Sequence, residues 1–448
     1  MTGRQLTVIT MPQPTANGPL HVGHLSGPYI AADIAARAAR ASGAEVLVST
    51  GLDIHQNYVL VRAQREGVSV ESMMEEFRGQ ITETYQRAGI NYDLFTDPLE
   101  PDHDETIAGL AAWLVASGRV PMMDFDLKIC PSCDMTLHHF YVAGRCSWCR
   151  EGAAGGACEG CGAFTSAQDL IDPVCTACGG QPHTVTTTLP VLRMEEFREQ
   201  LTAMWMRAEL PSRVRRLIQH HLEAGLPDVP IAYPTNWGIP GTGPLAGLRL
   251  DPYTEVALTD LVNIARGVNP RASTVDDYRA AWQEVSELWH FHGMDNSFWY
   301  ALYWPAVFAA MGIDPLPLSG VVANEFYTLD GLKFSTSRNH AVWANEILSE
   351  EDPRIVRLYL AWDRPDRYAS DFTRESFAAF RDLVAPLLDG THEPHKLAEP
   401  LREAERVRSL DALRLKGFDA ALAARGLITL LQTGEQVDGT LRSALTGE

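Results

Sequence analysis

Over residues 1–118, short apolar runs alternate with longer segments whose apolar positions recur at helical spacing. The runs at 6–10 (Leu-Thr-Val-Ile-Thr) and 46–50 (Val-Leu-Val-Ser-Thr) read as buried strands, and 29–40, 69–88 and 104–117 read as helices. Strands separated by helices build a parallel sheet, because a parallel neighbour needs a crossover. The pattern returns in 226–324, with a strand at 288–292 and a helix at 297–311. Between these halves, 119–190 turns to Gly, Cys and short turns, and a charged helical stretch at 195–222 leads back. Segment 325–375 is mixed and holds a Ser-rich loop, while 376–448 carries helical patterns at 377–388, 397–415 and 418–431. The expected fold is α/β. Its doubly wound parallel sheet is split into halves (1–118 and 226–324) by an insertion (119–225), then followed by 325–375 and a short helical tail (376–448).

A chain of 448 residues is long enough for two or three domains, and 46% hydrophobic with 21% charged residues is an ordinary globular balance. No run reaches the ~18 apolar residues of a membrane span, and no charged-then-apolar leader opens the chain. A cytoplasmic protein without membrane attachment is therefore expected. The formal net charge of −20 supplies no broad positive field for nucleic acid, although a local basic patch stays open. No solenoid repeat is visible, and a monomer is expected.

All eight cysteines fall into four Cys-x-x-Cys pairs: Cys130/Cys133, Cys146/Cys149, Cys158/Cys161 and Cys175/Cys178. Such a turn points two thiolates at one place, and two turns make the tetrahedral sulfur cage that Zn²⁺ prefers. Gly144, Gly160, Gly162 and Gly179 allow the tight knuckles. Two closed, structural Zn²⁺ sites are expected, without an open position for chemistry. The alternatives are reduced structural thiols or disulfides, the latter at odds with the absence of a secretion signal. Spacing does not say which pairs share a metal; the order of the turns suggests interleaved knuckles.

The stretch Pro14-Thr15-Ala16-Asn17-Gly18-Pro19-Leu20-His21-Val22-Gly23-His24 joins the first strand to the first helix. Free backbone N–H groups at such a turn favour phosphate, and neutral imidazoles can donate to phosphate oxygens as charge builds on them. The stretch resembles the first signature of the class I aminoacyl-tRNA synthetases, His-Ile-Gly-His and its variants. Its Pro-x-Ala-Asn-Gly lead-in is similar to the methionyl-tRNA synthetase family in particular. Cys130-Pro131-Ser132-Cys133, Tyr141-Val142-x-Gly144-x-Cys146 and Leu170-Ile171-Asp172-Pro173 match the connective domain of its two-zinc members, so the resemblance runs from about residue 5 to residue 375. It implies a Rossmann-like sheet with an inserted zinc-knuckle connective domain. It also implies ATP with Mg²⁺, and activation of an amino acid as its adenylate with release of pyrophosphate. His21 and His24 are then catalytic, with Asn17 and Gly23 beside the nucleotide.

Gly331-Leu332-Lys333-Phe334-Ser335-Thr336-Ser337-Arg338-Asn339 stands where this family carries its mobile Lys-Met-Ser-Lys-Ser loop, which closes over ATP. Lys333, Ser335, Ser337 and Arg338 match, but the second lysine of the motif is Thr336. Losing a preorganised cationic donor typically costs ~2–4 kcal/mol in the transition state, and Arg338 is the substitute at hand. The resemblance makes Lys333 and Arg338 catalytic, and Ser335 and Ser337 ATP-binding; the alternative is a polar loop with no ATP contact. Gly293-Met294-Asp295 is similar to the family's Gly-Lys-Asp at the nucleotide ribose, where a carboxylate accepts both hydroxyls. It also reads as an N-cap for the helix near Ser297.

Asp53 matches the family aspartate that binds the substrate ammonium, but the methionine pocket departs from the pattern around it. The family's Leu-Pro-Tyr-Ala is Gln13-Pro14-Thr15-Ala16. Its Val-Trp-Phe/Leu-Asp-Ala-Pro-Ile-Gly-Tyr aligns without gaps on Leu248-Arg249-Leu250-Asp251-Pro252-Tyr253-Thr254-Glu255-Val256, which puts Arg249 at the aromatic cap and Val256 at the later tyrosine. The family's isoleucine is Asn296 and its histidine Tyr300, while Trp304-Pro305 is kept. A thioether wants an apolar, polarizable pocket, and unpaired polar groups against it cost ~1–3 kcal/mol each. A polar amino acid is therefore expected, with Arg249 reading a second anionic group, or else paired internally with Asp251 or Glu255.

The family continues into an anticodon-reading helix bundle. Here Lys416-Gly417-Phe418-Asp419-Ala420-Ala421-Leu422 is similar to one of its helices, but Leu383-Val384-Ala385-Pro386-Leu387 replaces the Asn-Leu-x-x-Arg pattern. Arg402, Arg406, Arg408 and Arg414 alternate with Glu399, Glu403 and Glu405, as on a solvated helix face. Anticodon recognition is not expected. The leading expectation is a paralogue that passes its activated acyl group to a small-molecule amine in place of tRNA. The alternatives are a methionine–tRNA ligase with a reduced tail and a catalytically weak binding or regulatory paralogue.

Overall fold

The computed structural model describes residues 5–334, 340–434, 437 and 439–448. Its central sheet has five parallel strands: β1 (Leu6–Thr10), β2 (Glu45–Gly51), β3 (Leu94–Thr96), β4 (Val285–Gly293) and β5 (Leu318–Asn324), in the order β5-β4-β1-β2-β3. The expected doubly wound parallel sheet is what forms. β1 is buried at all five positions because layers cover both its faces. Leu6 and Val8 join the core that holds Leu258 and Leu261 of helix Pro252–Val268. Ile9, on the opposite face, joins Ile34 of helix Ile30–Ala41 and Leu358 of helix Pro353–Trp362.

The C-terminal helices Arg374–Leu388, Ala420–Gln432 and Gly439–Thr446 complete this second core through Val384, Leu427, Leu430 and Leu441. Arg357 ties it together from within. Its guanidinium donates to Asp33 at 2.6 Å and to the carbonyls of Ala88 at 2.7 Å and Ala444 at 3.1 Å. On helix Glu399–Asp411 and just after it, Arg402, Arg406, Arg408 and Arg414 each pair with the acidic residue three positions earlier. That is the solvated face expected from their alternation with glutamates.

Two helices depart from their sequence pattern for one reason. The patterns at 29–40 and 297–311 predict plain helices, but π-helical turns, Leu25–Tyr29 and Trp299–Tyr303, precede Ile30–Ala41 and Trp304–Ala310. Pro28 lies in the first turn and Pro305 follows the second. A proline has no N–H to give and crowds the carbonyl four residues back. The Ala301 carbonyl, four before Pro305, accepts instead from the buried Trp205 indole at 2.7 Å. The charged stretch at 195–222 is likewise broken, into Arg198–Arg207 and Ser212–Ala224, with Pro211 at the restart.

In the insertion, Met122–Cys130 pairs antiparallel with His183–Arg193, and the cysteine-rich lobe lies between these two strands in sequence. Among the described residues no helix is long and apolar enough to cross a membrane.

Candidate active site

β1 is the switch strand, with β2 on one side and β4 on the other. The crevice beyond the carboxyl ends of strands at such a point is where α/β sheets bind ligands. A cavity of about 450 Å³ opens there. Gln13, Thr15, Asn17, His21, Gly23, His24 and Asp53 line it from one half of the sheet. Tyr253, Gly293, Asp295, Asn296, Tyr300, Trp304 and Lys333 line it from the other. Ser335, Thr336, Ser337 and Arg338 lie outside the described residues.

The imidazoles stand on a turn clamped from both ends, with Val22 N–H donating to the Val342 carbonyl at 3.0 Å and Ala344 N–H to that of Leu20 at 2.8 Å. The rings of His21 and His24 stack at 3.7 Å, and Phe334 stacks on His21 at 4.4 Å. Gly23 makes this possible, since a Cβ there would lie 3.0 Å from the His21 ring and 3.2 Å from Phe334. Burial pushes His24 down to about 4, and burial with the neighbouring His24 pushes His21 well below the ordinary value. Both rings are therefore neutral at pH 7. His24 Nδ1 accepts from the His21 backbone N–H at 3.2 Å, which leaves the His24 proton on Nε2 as a fixed donor.

Asp53 follows β2, its N–H on the Pro14 carbonyl at 3.1 Å. The Thr15 hydroxyl lies 3.5 Å from Asp53 Oδ2 and 2.7 Å from the Tyr58 hydroxyl. Asp53 Oδ1 and the neighbouring Gln56 Oε1 are buried without a partner. Burial, and next the charge of Glu255, pushes the Asp53 carboxyl up to about 8. Glu255 itself is buried between His55 at 2.8 Å and His103 at 3.2 Å, and against the pull of burial these imidazoles bring it down to about 2. The result is a pocket of unpaired acceptors suited to a cation. Gln56 and Tyr58 were missed by sequence reasoning, although both follow Asp53 within five positions.

The other wall is aromatic. Tyr253 lies flat on Trp299 at 3.6 Å, and Tyr300 packs against Trp304 at 3.9 Å and stacks on His292 at 4.9 Å. Gln13 Nε2 donates to Asp260 Oδ1 at 2.9 Å. Arg249 does not line the cavity, which corrects the expectation that it reads a substrate group. Its two-residue strand, Arg249–Leu250, pairs with Ala232–Tyr233 and buries Leu250, so the arginine side chain points away and donates to the Gly238 carbonyl at 3.2 Å. Asp251 and Glu255 are engaged elsewhere, Asp251 by the N–H groups of Tyr253 and Thr254 and by His139.

At the far corner a Cβ on Gly293 would lie 2.5 Å from Asp295 Oδ1, so the carboxylate folds back over a glycine. Burial, and then Glu159, pushes Asp295 up to about 6. The turn Met294–Asn296 has no side-chain cap, so the N-cap reading of Asp295 does not hold. Lys333 Nζ lies 3.3 Å from Glu159 and 4.2 Å above the Phe326 ring. Glu159 sits inside the Cys158/Cys161 knuckle, and nothing in the sequence linked it to this corner.

The cysteines form two groups, Cys130/Cys133/Cys175/Cys178 and Cys146/Cys149/Cys158/Cys161, the sulfurs of each within 4.8 Å of one another. The knuckles are nested, not interleaved as expected. Val142–Arg145 pairs antiparallel with Ile171–Cys175, which folds the chain back and brings its outermost turns together. Sulfur separations of 3.5 Å (Cys130–Cys178, Cys149–Cys158), 3.8 Å (Cys146–Cys161) and 4.0 Å (Cys133–Cys175) are too long for disulfides. They suit a tetrahedral Zn²⁺ with Zn–S bonds of about 2.3 Å. The backbone N–H of Trp148, 3.4 Å from Cys146 Sγ, favours the thiolate form of that cysteine.

A switch-strand crevice, stacked imidazoles at the first strand-to-helix turn and an insertion with two four-cysteine groups are the architecture of a class I aminoacyl-tRNA synthetase core. The family model described as "tRNA synthetases class I (M)" matches residues 7–386, and the chain belongs to that family, one of ATP-dependent amino-acid-activating ligases. Among curated relatives, the methionine–tRNA ligase of Bacillus cereus (strain Q1) is 27% identical over 373 residues, covering 81% of this chain and 67% of that protein. That of Thermomicrobium roseum is 33% identical over 379 residues, covering 81% and 63%. The chain thus spans about two thirds of their length. A Mycobacterium tuberculosis methionyl-tRNA synthetase solved with methionyl-adenylate superposes with a TM-score of 0.69 at 19% identity, covering 96% of this chain and 82% of that one, a likeness of fold.

Proposed function

We propose that this chain activates an amino acid with ATP. The carboxylate oxygen attacks the α-phosphorus, the bond from that phosphorus to the bridging oxygen breaks, and aminoacyl-AMP and pyrophosphate form. The observation that carries the reading is the placement of neutral, stacked His21 and His24 and of Asp53 in one cavity of about 450 Å³. The imidazole N–H groups would donate to phosphate oxygens, Asp53 would hold the substrate ammonium, and Asp295 would face the ribose. Asn17, Gly23 and Gly293 would let the nucleotide approach the backbone. Lys333, with Arg338, Ser335 and Ser337 of the same loop, would meet the leaving pyrophosphate. Among the described residues lining the cavity, Lys333 is the single lysine or arginine, and it already pairs with Glu159. The triphosphate would therefore need Mg²⁺ to offset its charge. Zn²⁺ in the two cysteine groups would be structural, and reduced thiolates fit a cytoplasmic setting.

The names of the relatives favour methionine as the amino acid and tRNA as the acceptor. The apolar wall of Val256, Tyr300 and Trp304 suits a thioether. One observation favours a second reading in which the amino acid is polar: a buried Gln13–Asp260 pair reaches the cavity where the family carries leucine. For the acceptor, the ion-paired arginines of the tail lower its attraction for RNA phosphates, which favours a small-molecule amine. ATP–pyrophosphate exchange over a panel of amino acids, with and without tRNA, tests both. Exchange with methionine and charged tRNA supports the first; exchange with a polar amino acid and uncharged tRNA supports the second. No exchange with any amino acid would refute activation and leave a binding or regulatory paralogue.

A further inference from the structure

We propose that Gln13, oriented by Asp260, determines side-chain specificity by presenting its amide carbonyl to the substrate, and so selects amino acids whose side chain ends in an N–H or O–H donor. The proposal deepens the activation reading and rests on it. Gln13 lies three residues past β1, lines the cavity and is 8% exposed. Asp260 is 1% exposed on helix Pro252–Val268 and does not line the cavity. Gln13 Nε2 donates to Asp260 Oδ1 at 2.9 Å, so the N–H end of the amide faces Asp260. Oε1 is the end left for the cavity.

A pair built for structure alone would leave nothing over, yet Asp260 Oδ2 is buried without a partner. Placing a carboxylate there is costly, and burial pushes it up to about 7. The Gln13 carbonyl is therefore an acceptor that a substrate side chain would have to meet. A carboxamide, ureido or hydroxyl group supplies the N–H or O–H it needs, whereas a thioether supplies none. Leaving the Gln13 carbonyl unpaired should weaken such a ligand about 10- to 100-fold.

The test uses the full chain and two readouts: calorimetric binding of free amino acids, and ATP–pyrophosphate exchange. The panel is glutamine, citrulline and homoserine against methionine and norleucine, with the parent, Gln13→Leu and the double variant Gln13→Leu/Asp260→Leu. The double variant removes the carboxylate that Gln13→Leu strands and so guards against loss of folding. The expected result is a 10- to 100-fold preference of the parent for a donor-ended side chain, reversed in both variants. A parent that prefers methionine or norleucine, a preference unchanged in the double variant, or binding of no amino acid overturns the proposal. Calorimetric preference without exchange upholds the selectivity and refutes activation. Exchange with methionine in preference to the donor-ended panel does the reverse.

Discussion

Asp53→Asn should make the empty protein more stable while disabling it. The Asp53 carboxyl is pushed up to about 8 from an ordinary 3.8, with burial as the larger cause and Glu255 the next. A group whose folded value lies above its unfolded value takes up a proton on folding once the pH passes the unfolded value. It therefore costs stability increasingly as pH rises from 3.8 to about 8. Each unit is worth about 1.4 kcal/mol, so the cost is about 4 kcal/mol at pH 7 and under half of that at pH 5. Asparagine keeps the shape and removes the titration. The variant should melt a few degrees above the parent at pH 7, with a smaller gap at pH 5, by scanning calorimetry. Amino-acid activation should fall at least 100-fold, because the partner of the substrate ammonium is gone. In the parent, amino-acid binding should release a proton at pH 7, visible as a dependence of binding heat on the buffer. A variant less stable than the parent at pH 7, or a gap that does not change with pH, would refute the reasoning.

Other outcomes follow from the same geometry. Gly23→Ala places a methyl 3.0 Å from the His21 ring and 3.2 Å from Phe334, so exchange should drop about 100-fold while calorimetric affinity for the amino acid stays within threefold. Zinc content should fall from two to one per chain when any of Cys130, Cys133, Cys175 or Cys178 becomes serine. Elemental analysis of Cys130→Ser/Cys175→Ser should still give one, and of Cys130→Ser/Cys158→Ser none; interleaved knuckles would give none and one, respectively. Glu255 is held at about 2, below its ordinary 4.5, so it stabilises above pH 4.5 and that contribution fades as pH falls toward 2. Glu255→Gln should cost about 3 kcal/mol at pH 7. Its melting-temperature deficit should narrow below pH 4.5, and a constant deficit would count against the His55–Glu255–His103 network.

What was legible in the sequence was local. β1, β2 and the turn carrying His21 and His24 are contiguous, so periodicity and motif sufficed to place this half of the crevice. The π-helical turns at Leu25–Tyr29 and Trp299–Tyr303 had a signal too, in Pro28 and Pro305, but a helical period does not say which way a proline will bend its helix. Arg249 fails for a different reason. Gapless alignment assigns it a position, while facing in a strand alternates, and Leu250 took the inward side. The nested cysteines depend on an antiparallel pairing across the lobe, which spacing cannot express. Gln13 could be recognised as out of place against the family pattern, but its partner Asp260 is 247 positions away. Chemistry common to the family sits where strand meets helix and leaves a periodic trace. The Gln13–Asp260 contact is assembled across the sheet, from residues that meet only once β1 and helix Pro252–Val268 pack together. Misplaced polarity in the sequence is therefore ambiguous, and only the fold tells a glutamine held by a buried partner, such as Gln13 on Asp260, from an arginine such as Arg249 that has turned away.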